Sequence, residues 1–96
     1  DTTIAAAAGQ INPGNLTINK TGGSKVTLLS NYIVRNSAAD LRIASGTLDV
    51  AGRVLTIGNA SGADSVLTLE SGTTLNLGGG SATYEALVNN GGTIVP

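Results

Sequence analysis

The chain has no cysteine, methionine, histidine, phenylalanine or tryptophan, and its only aromatic residues are Tyr32 and Tyr84. Without cysteine there is no disulfide framework, and the redox compartment is left open. Without histidine or cysteine there is neither a His-based triad nor a zinc site built on those ligands. A thick core between two layers usually needs larger side chains than Leu, Ile and Val to fill it. A narrow core, one or two aliphatic side chains across, does not.

Charge is also scarce. Lys20, Lys25, Arg35, Arg42 and Arg53 nearly balance Asp1, Asp40, Asp49, Asp64, Glu70 and Glu85, for a net charge of −1. No basic patch is visible, so nucleic acid is not expected as a partner. No apolar run approaches the ~20 residues of a membrane-spanning helix. No signal-peptide pattern is present either. A sequence starting "DTTIAAAAGQ" reads as a mature or excised fragment, so this lack does not argue for the cytoplasm.

What the chain does have is many short strand signals. "NLTIN", "KVTLLSN", "YIVRN", "DLRIA", "GTLDV", "RVLTIG", "SVLTLES", "TTLNLGG" and "GTIVP" each alternate β-favouring residues with period two. Gly, Asn, Ser and Asp separate them. The best helical candidate, "TIAAAAGQ", is stopped early by Gly9 and is too short to be stable alone.

The signals recur. From Leu48 and Val50, steps of 19 or 20 residues reach Leu67 and Leu69, then Leu87, and backwards Leu28. From Leu55 and Ile57, similar steps reach Leu75 and Leu77, then Ile94. A repeat of this length carrying two or three strands predicts one coil of a β-solenoid, each strand stacked about 4.8 Å from its equivalent. The expected fold is therefore all-β, a right-handed parallel β-helix of about five coils in one domain over 1–96. Residues 1–14 are read as an N-terminal cap or first coil, and 89–96 as the last strand. Leu28, Leu48, Leu67 and Leu87 are expected in one interior ladder, with Val50 and Leu69 beside it. Leu55, Leu75 and Ile94 are expected in another, with Ile57 and Leu77. Leu41 and Ile43 suggest a third strand in at least one coil. Gly46, Gly52, Gly58, Gly72 and Gly79 are candidate corners.

"NLTINKTGGSKVTLLSNYIV", then "LRIASGTLDVAGRVLTIGN", then "GTTLNLGGGS" resemble the repetitive β-solenoid segments of large secreted bacterial surface proteins. The likeness is to Bacteroidetes-type surface repeats and, more loosely, to autotransporter passenger repeats. It rests on Asn15 to Lys20, Gly46 to Val50 and Leu55 to Gly58, and runs from about residue 15 to 81. The resemblance implies secretion, an extracellular or cell-surface place, and a role in stalks, adhesins or fibres. It implies no catalytic residue.

No residue pattern predicts a catalytic centre, a cofactor site or a metal site. Asp49 and Glu70 are placed near one another in adjacent coils, and solvated surface acids account for them. Asn59 and Asp64 in "NASGADS" do not recur as a calcium repeat would, and read as turn formers. "GGGSATY" lacks the Lys and the spacing of a phosphate loop. Thr17, Thr27, Thr56 and Thr68 stand singly, interrupted by Asp49 and Asn76, unlike the paired ranks of a flat ice-binding face. Asn15, Asn19 and Asn59 open glycosylation sequons. Tyr32 and Tyr84 are the candidate ligand face, for stacking on sugars.

The expected function is a non-catalytic extracellular rod segment or fibre subunit. Its partner is itself, end to end, or neighbouring coils of a longer array. The alternative is an adhesin module that recognises glycan or a cell surface through a side face.

Overall fold

Each short run in which Leu, Ile or Val alternates with a polar residue becomes a strand of three to six residues. The computed structural model describes residues 2–4, 16–21, 23–34, 40–57 and 66–96. In chain order the strands are β1 (Thr2–Ile4), β2 (Leu16–Asn19), β3 (Lys25–Leu28), β4 (Tyr32–Val34), β5 (Asp40–Ser45) and β6 (Thr47–Asp49). They continue as β7 (Val54–Ile57), β8 (Val66–Leu69), β9 (Thr74–Asn76), β10 (Ser81–Thr83), β11 (Ala86–Asn89) and β12 (Thr93–Val95). No helix occurs among the described residues.

The strands form three sheets, and every pairing within them is parallel. Sheet 1 has the order β2-β5-β8-β11, sheet 2 the order β1-β3-β6-β9-β12, and sheet 3 the order β4-β7-β10. From β2 onward the chain visits sheets 1, 2 and 3 in a fixed cycle. This all-β, three-sheet parallel arrangement is compatible with a β-solenoid.

The repeat is longer and less regular than 19 or 20 residues. Aligned residues are 27 positions apart from Leu48 to Leu75 and 19 apart from Leu75 to Ile94. The cause is the connection from sheet 3 to sheet 1. It is long between Ile57 and Val66 and short between Thr83 and Ala86. Leu48 therefore lies beside Val26 and Leu75, not beside Leu28 or Leu67. Leu28 lies beside Ile4, and Leu55 beside Tyr32 and Ala82. Leu67 lies between Leu41 and Leu87, and Leu69 between Ile43 and Asn89. Ile57 is aligned with Val34.

The inward residues of the three sheets meet in one aliphatic core. Leu28, Leu41, Ile43, Leu48, Val50, Leu55, Ile57, Leu67, Leu69 and Leu75 are buried in it. Full burial of one such side chain contributes about 1.5–3 kcal/mol before the entropy of ordering it. Leu77 and Ile94 are only half-buried against this core. Leu87, expected in the interior, is 39% exposed, because β11 is the outermost strand of sheet 1.

The corners stack as the strands do. Thr47 donates its amide to Ser24 O, Thr74 to Gly46 O and Thr93 to Thr73 O. Gly46, with φ +85°, turns the chain from β5 to β6 in a single residue. A Cβ there would lie 2.7 Å from the carbonyl oxygens of Lys20 and Ser24 in the neighbouring corner. Gly52, Gly72 and Gly79 also have positive φ, whereas Gly58 lies outside the described residues. Of 1–14, only Thr2–Ile4 is described.

Candidate functional site

Both tyrosines pack against the aliphatic core. Tyr32 opens β4, and its ring points inward beside Leu55, leaving the residue 9% exposed. Tyr84 is half-buried and packs on the same core. Alternation carries the explanation: Tyr32 and Val34 align with Leu55 and Ile57, both of which point inward. That parity can be read from "YIV" beside "LTI" once the register is known.

The acids are placed on different sheets. Asp49 ends β6 in sheet 2, 3.6 Å from Lys25 Nζ, and its Oδ1 accepts the Ala51 amide at 3.0 Å. Glu70 follows β8 in sheet 1. Its Oε2 accepts Arg42 Nε and its Oε1 accepts Asn90 Nδ2, both at 2.8 Å. These bonds, that from Arg42 first and that from Asn90 second, lower the Glu70 carboxyl below its ordinary value against a smaller opposing effect of desolvation. Arg42, Glu70 and Asn90 come from three successive passes through sheet 1, so this carboxylate clasps three layers of the stack. Among the described residues, no group of three or more His, Cys, Asp and Glu could hold a metal ion.

Asn76 and Asn89 repeat the local bond of Asp49. Their Oδ1 atoms accept the amides of Gly78 at 3.2 Å and Gly91 at 3.1 Å, two residues on. Such Asx turns favour left-handed backbone just after the strand. Asp49 and Asn76 are aligned neighbours, and the turns after them match. Ala51 (φ +56°) and Gly52 (+78°) correspond to Gly78 (+58°) and Gly79 (+86°). The amides of Gly78, Gly80 and Ser81 are bonded to Asn76 Oδ1, Leu77 O and Arg53 O. These three amides are spent inside the corner.

The threonines show one rank that sequence spacing hid. Thr47, Thr74 and Thr93 are aligned on the outer face of sheet 2, next to Lys25. Thr27 is aligned with Asp49, and Thr17 and Thr68 flank Arg42. Thr56 stands between Ile33 and Thr83. Asn19 accepts Ser45 Oγ at 2.6 Å. Asn15, Asn59 and Asp64 lie outside the described residues.

The most distinctive surface is an end of the stack. β10, β11 and β12 are each the outermost strand of their sheet, and all three lie on the side reached last by the chain. Among the described residues each is paired on one side alone, an arrangement that leaves a row of backbone donors and acceptors facing outward. Along the ladder Leu41–Leu67–Leu87, exposure goes from 0% and 0% to 39%. Val88 and Val95 are 43% and 40% exposed on the same strands. The outermost strands at the other end, β2 and β4, carry the buried Ile18 and Val34.

No helix among the described residues is long and apolar enough to cross a membrane. No family model, no curated protein and no solved structure matches this chain.

Proposed function

We propose that the chain is a non-catalytic extracellular structural protein, a rod segment or fibre subunit that associates end to end through the open face made by β10, β11 and β12. The observation that supports this reading is that, among the described residues, β10, β11 and β12 each end their sheet, with Leu87, Val88 and Val95 exposed on β11 and β12. A free edge pairs readily with another strand, and apolar side chains above it supply the gain from burial. The proposed fold is a right-handed β-solenoid. Its support is that crossovers between parallel strands of one sheet are nearly always right-handed. The extracellular place rests on the resemblance to bacterial surface repeats. The second reading is an adhesin module that recognises glycan or a cell surface through a side face; the burial of Tyr32 leaves Tyr84 as the more accessible of the two tyrosines for it.

Sedimentation velocity tests the reading. The wild-type chain is expected to form larger species as concentration rises. Leu87→Lys, which charges the open edge, is expected to stay monomeric and folded. A wild-type chain that remains monomeric throughout, or a Leu87→Lys chain that associates equally well, would overturn it.

A further inference from the structure

Asn90 and Gly91 are each fixed by the corner they occupy. Asn89 is aligned with Leu69, and the Asn90 amide donates to Leu69 O at 2.7 Å, so Asn90 stands opposite Glu70 in the stack. Its Nδ2 donates to Glu70 Oε1 at 2.8 Å. The clasp thus requires a short side chain with a donor at 90. Gly91 has φ +109°. A Cβ there would meet nothing closer than 3.4 Å, so the backbone angle, rather than space, requires glycine. Together the two requirements create an Asn-Gly pair, and no other asparagine of the chain is followed by glycine.

Such a pair is chemically labile, because glycine has no side chain to shield its nitrogen from the preceding side-chain carbonyl. We propose that Asn90 is a site of self-modification, in which its side chain cyclises onto the Gly91 nitrogen, and that the folded corner holds this reaction in check through Glu70. The Gly91 nitrogen gives up its proton and bonds to Asn90 Cγ. The Cγ–Nδ2 bond breaks, and Nδ2 leaves with that proton as ammonia. Water then opens the succinimide, returning a proton to the nitrogen and leaving a carboxylate. Opening at Cγ gives aspartate, and opening at the main-chain carbonyl gives isoaspartate.

Both reacting groups are occupied in the fold. The Gly91 N–H donates to Asn89 Oδ1 at 3.1 Å, and the same oxygen accepts the Gly92 amide at 2.7 Å. Asn90 Nδ2 is held by Glu70, whose other oxygen accepts Arg42 Nε. Cyclisation needs both bonds broken and the Asn90 side chain turned from Glu70 toward its own main chain. A hydrogen bond to a charged acceptor is the stronger of the two, so Glu70 carries most of the restraint. The product reverses the contact. A carboxylate at 90 faces that of Glu70 where an amide donated before, and like charges repel. Isoaspartate also adds a methylene to the main chain ahead of β12, whose register on β9 runs through Thr93, Ile94 and Val95.

The test follows wild type and Glu70→Ala over time at mildly alkaline pH, folded and in denaturant, by peptide mass mapping with isoaspartate detection. Circular dichroism first establishes that the variant is folded. Unfolded wild type is expected to convert Asn90 to aspartate and isoaspartate faster than any other asparagine. Folded wild type is expected to react about tenfold more slowly than unfolded, and folded Glu70→Ala about tenfold faster than folded wild type. In denaturant the two chains are expected to react alike. Asn90 left intact in unfolded wild type would overturn the site. Equal rates in folded and unfolded wild type, or in folded wild type and folded Glu70→Ala, would overturn the restraint. If Glu70→Ala does not fold, Glu70→Gln decides the same point. It keeps an acceptor without the charge and is expected to react faster than folded wild type, and an equal rate would overturn the restraint. Asn90→Asp, which carries the product's charge, is expected to melt at a lower temperature than wild type at neutral pH. Equal melting would overturn the effect of the product on the stack.

Discussion

Arg42 Nε donates to Glu70 Oε2 at 2.8 Å across 28 positions of sequence, and Asn90 Nδ2 donates to the other oxygen of the same carboxylate. Glu70 thus ties the second, third and last passes through sheet 1. Its folded carboxyl lies below the ordinary 4.5. A depressed carboxylate contributes stability that is complete above the unfolded value and disappears as pH falls through the folded one. Thermal melts are therefore expected to show a loss of stability as pH falls below about 4.5. In Glu70→Gln this part of the acid limb is expected to be missing. An unchanged acid limb in the variant would show that the clasp does not contribute.

Leu67 and Leu87 are aligned neighbours in one ladder with opposite surroundings, 0% and 39% exposed. Leu67→Ala is expected to cost about 2–5 kcal/mol in chemical denaturation, the range of buried leucine truncations. Leu87→Ala is expected to cost less than about 1 kcal/mol in the monomer, because its methyl groups already meet water. Leu67→Asp, which buries an unpaired charge, is expected not to fold. Equal costs for the two alanine variants would contradict the placement of β11 at the open edge.

Ala51 occupies the backbone conformation that Gly78 takes in the matching turn one layer on. An L-residue in the left-handed region is strained by about 1–2 kcal/mol, partly offset in a glycine variant by the greater freedom of its unfolded chain. Ala51→Gly is expected to raise stability by up to about 1 kcal/mol. Gly46→Ala is expected to lower it by about 1–3 kcal/mol, since positive φ and two carbonyl oxygens at 2.7 Å both oppose a Cβ. Melting temperatures of the two variants moving in the same direction would contradict this account of the corners.

The all-β class could be read from alternation in runs such as Val66-Leu67-Thr68-Leu69, and the turns from the Gly and Asn between them. The sheet to which each triplet belongs could not. Leu55 to Leu67 and Leu75 to Leu87 are equally spaced in sequence, yet Leu55 lies in sheet 3 and Leu75 in sheet 2. Variable connections decouple sequence spacing from stacking. The same cause hid the Thr47–Thr74–Thr93 rank and the bond from Arg42 to Glu70, and it placed Tyr32 on a surface rather than in the core.

Negative-stain electron microscopy of the purified chain at rising concentration decides whether the chain associates end to end. Unbranched filaments of single-rod width are expected, lengthening with concentration and falling apart when Leu87 is changed to Lys. Dispersed particles of monomer size at every concentration would contradict end-to-end association.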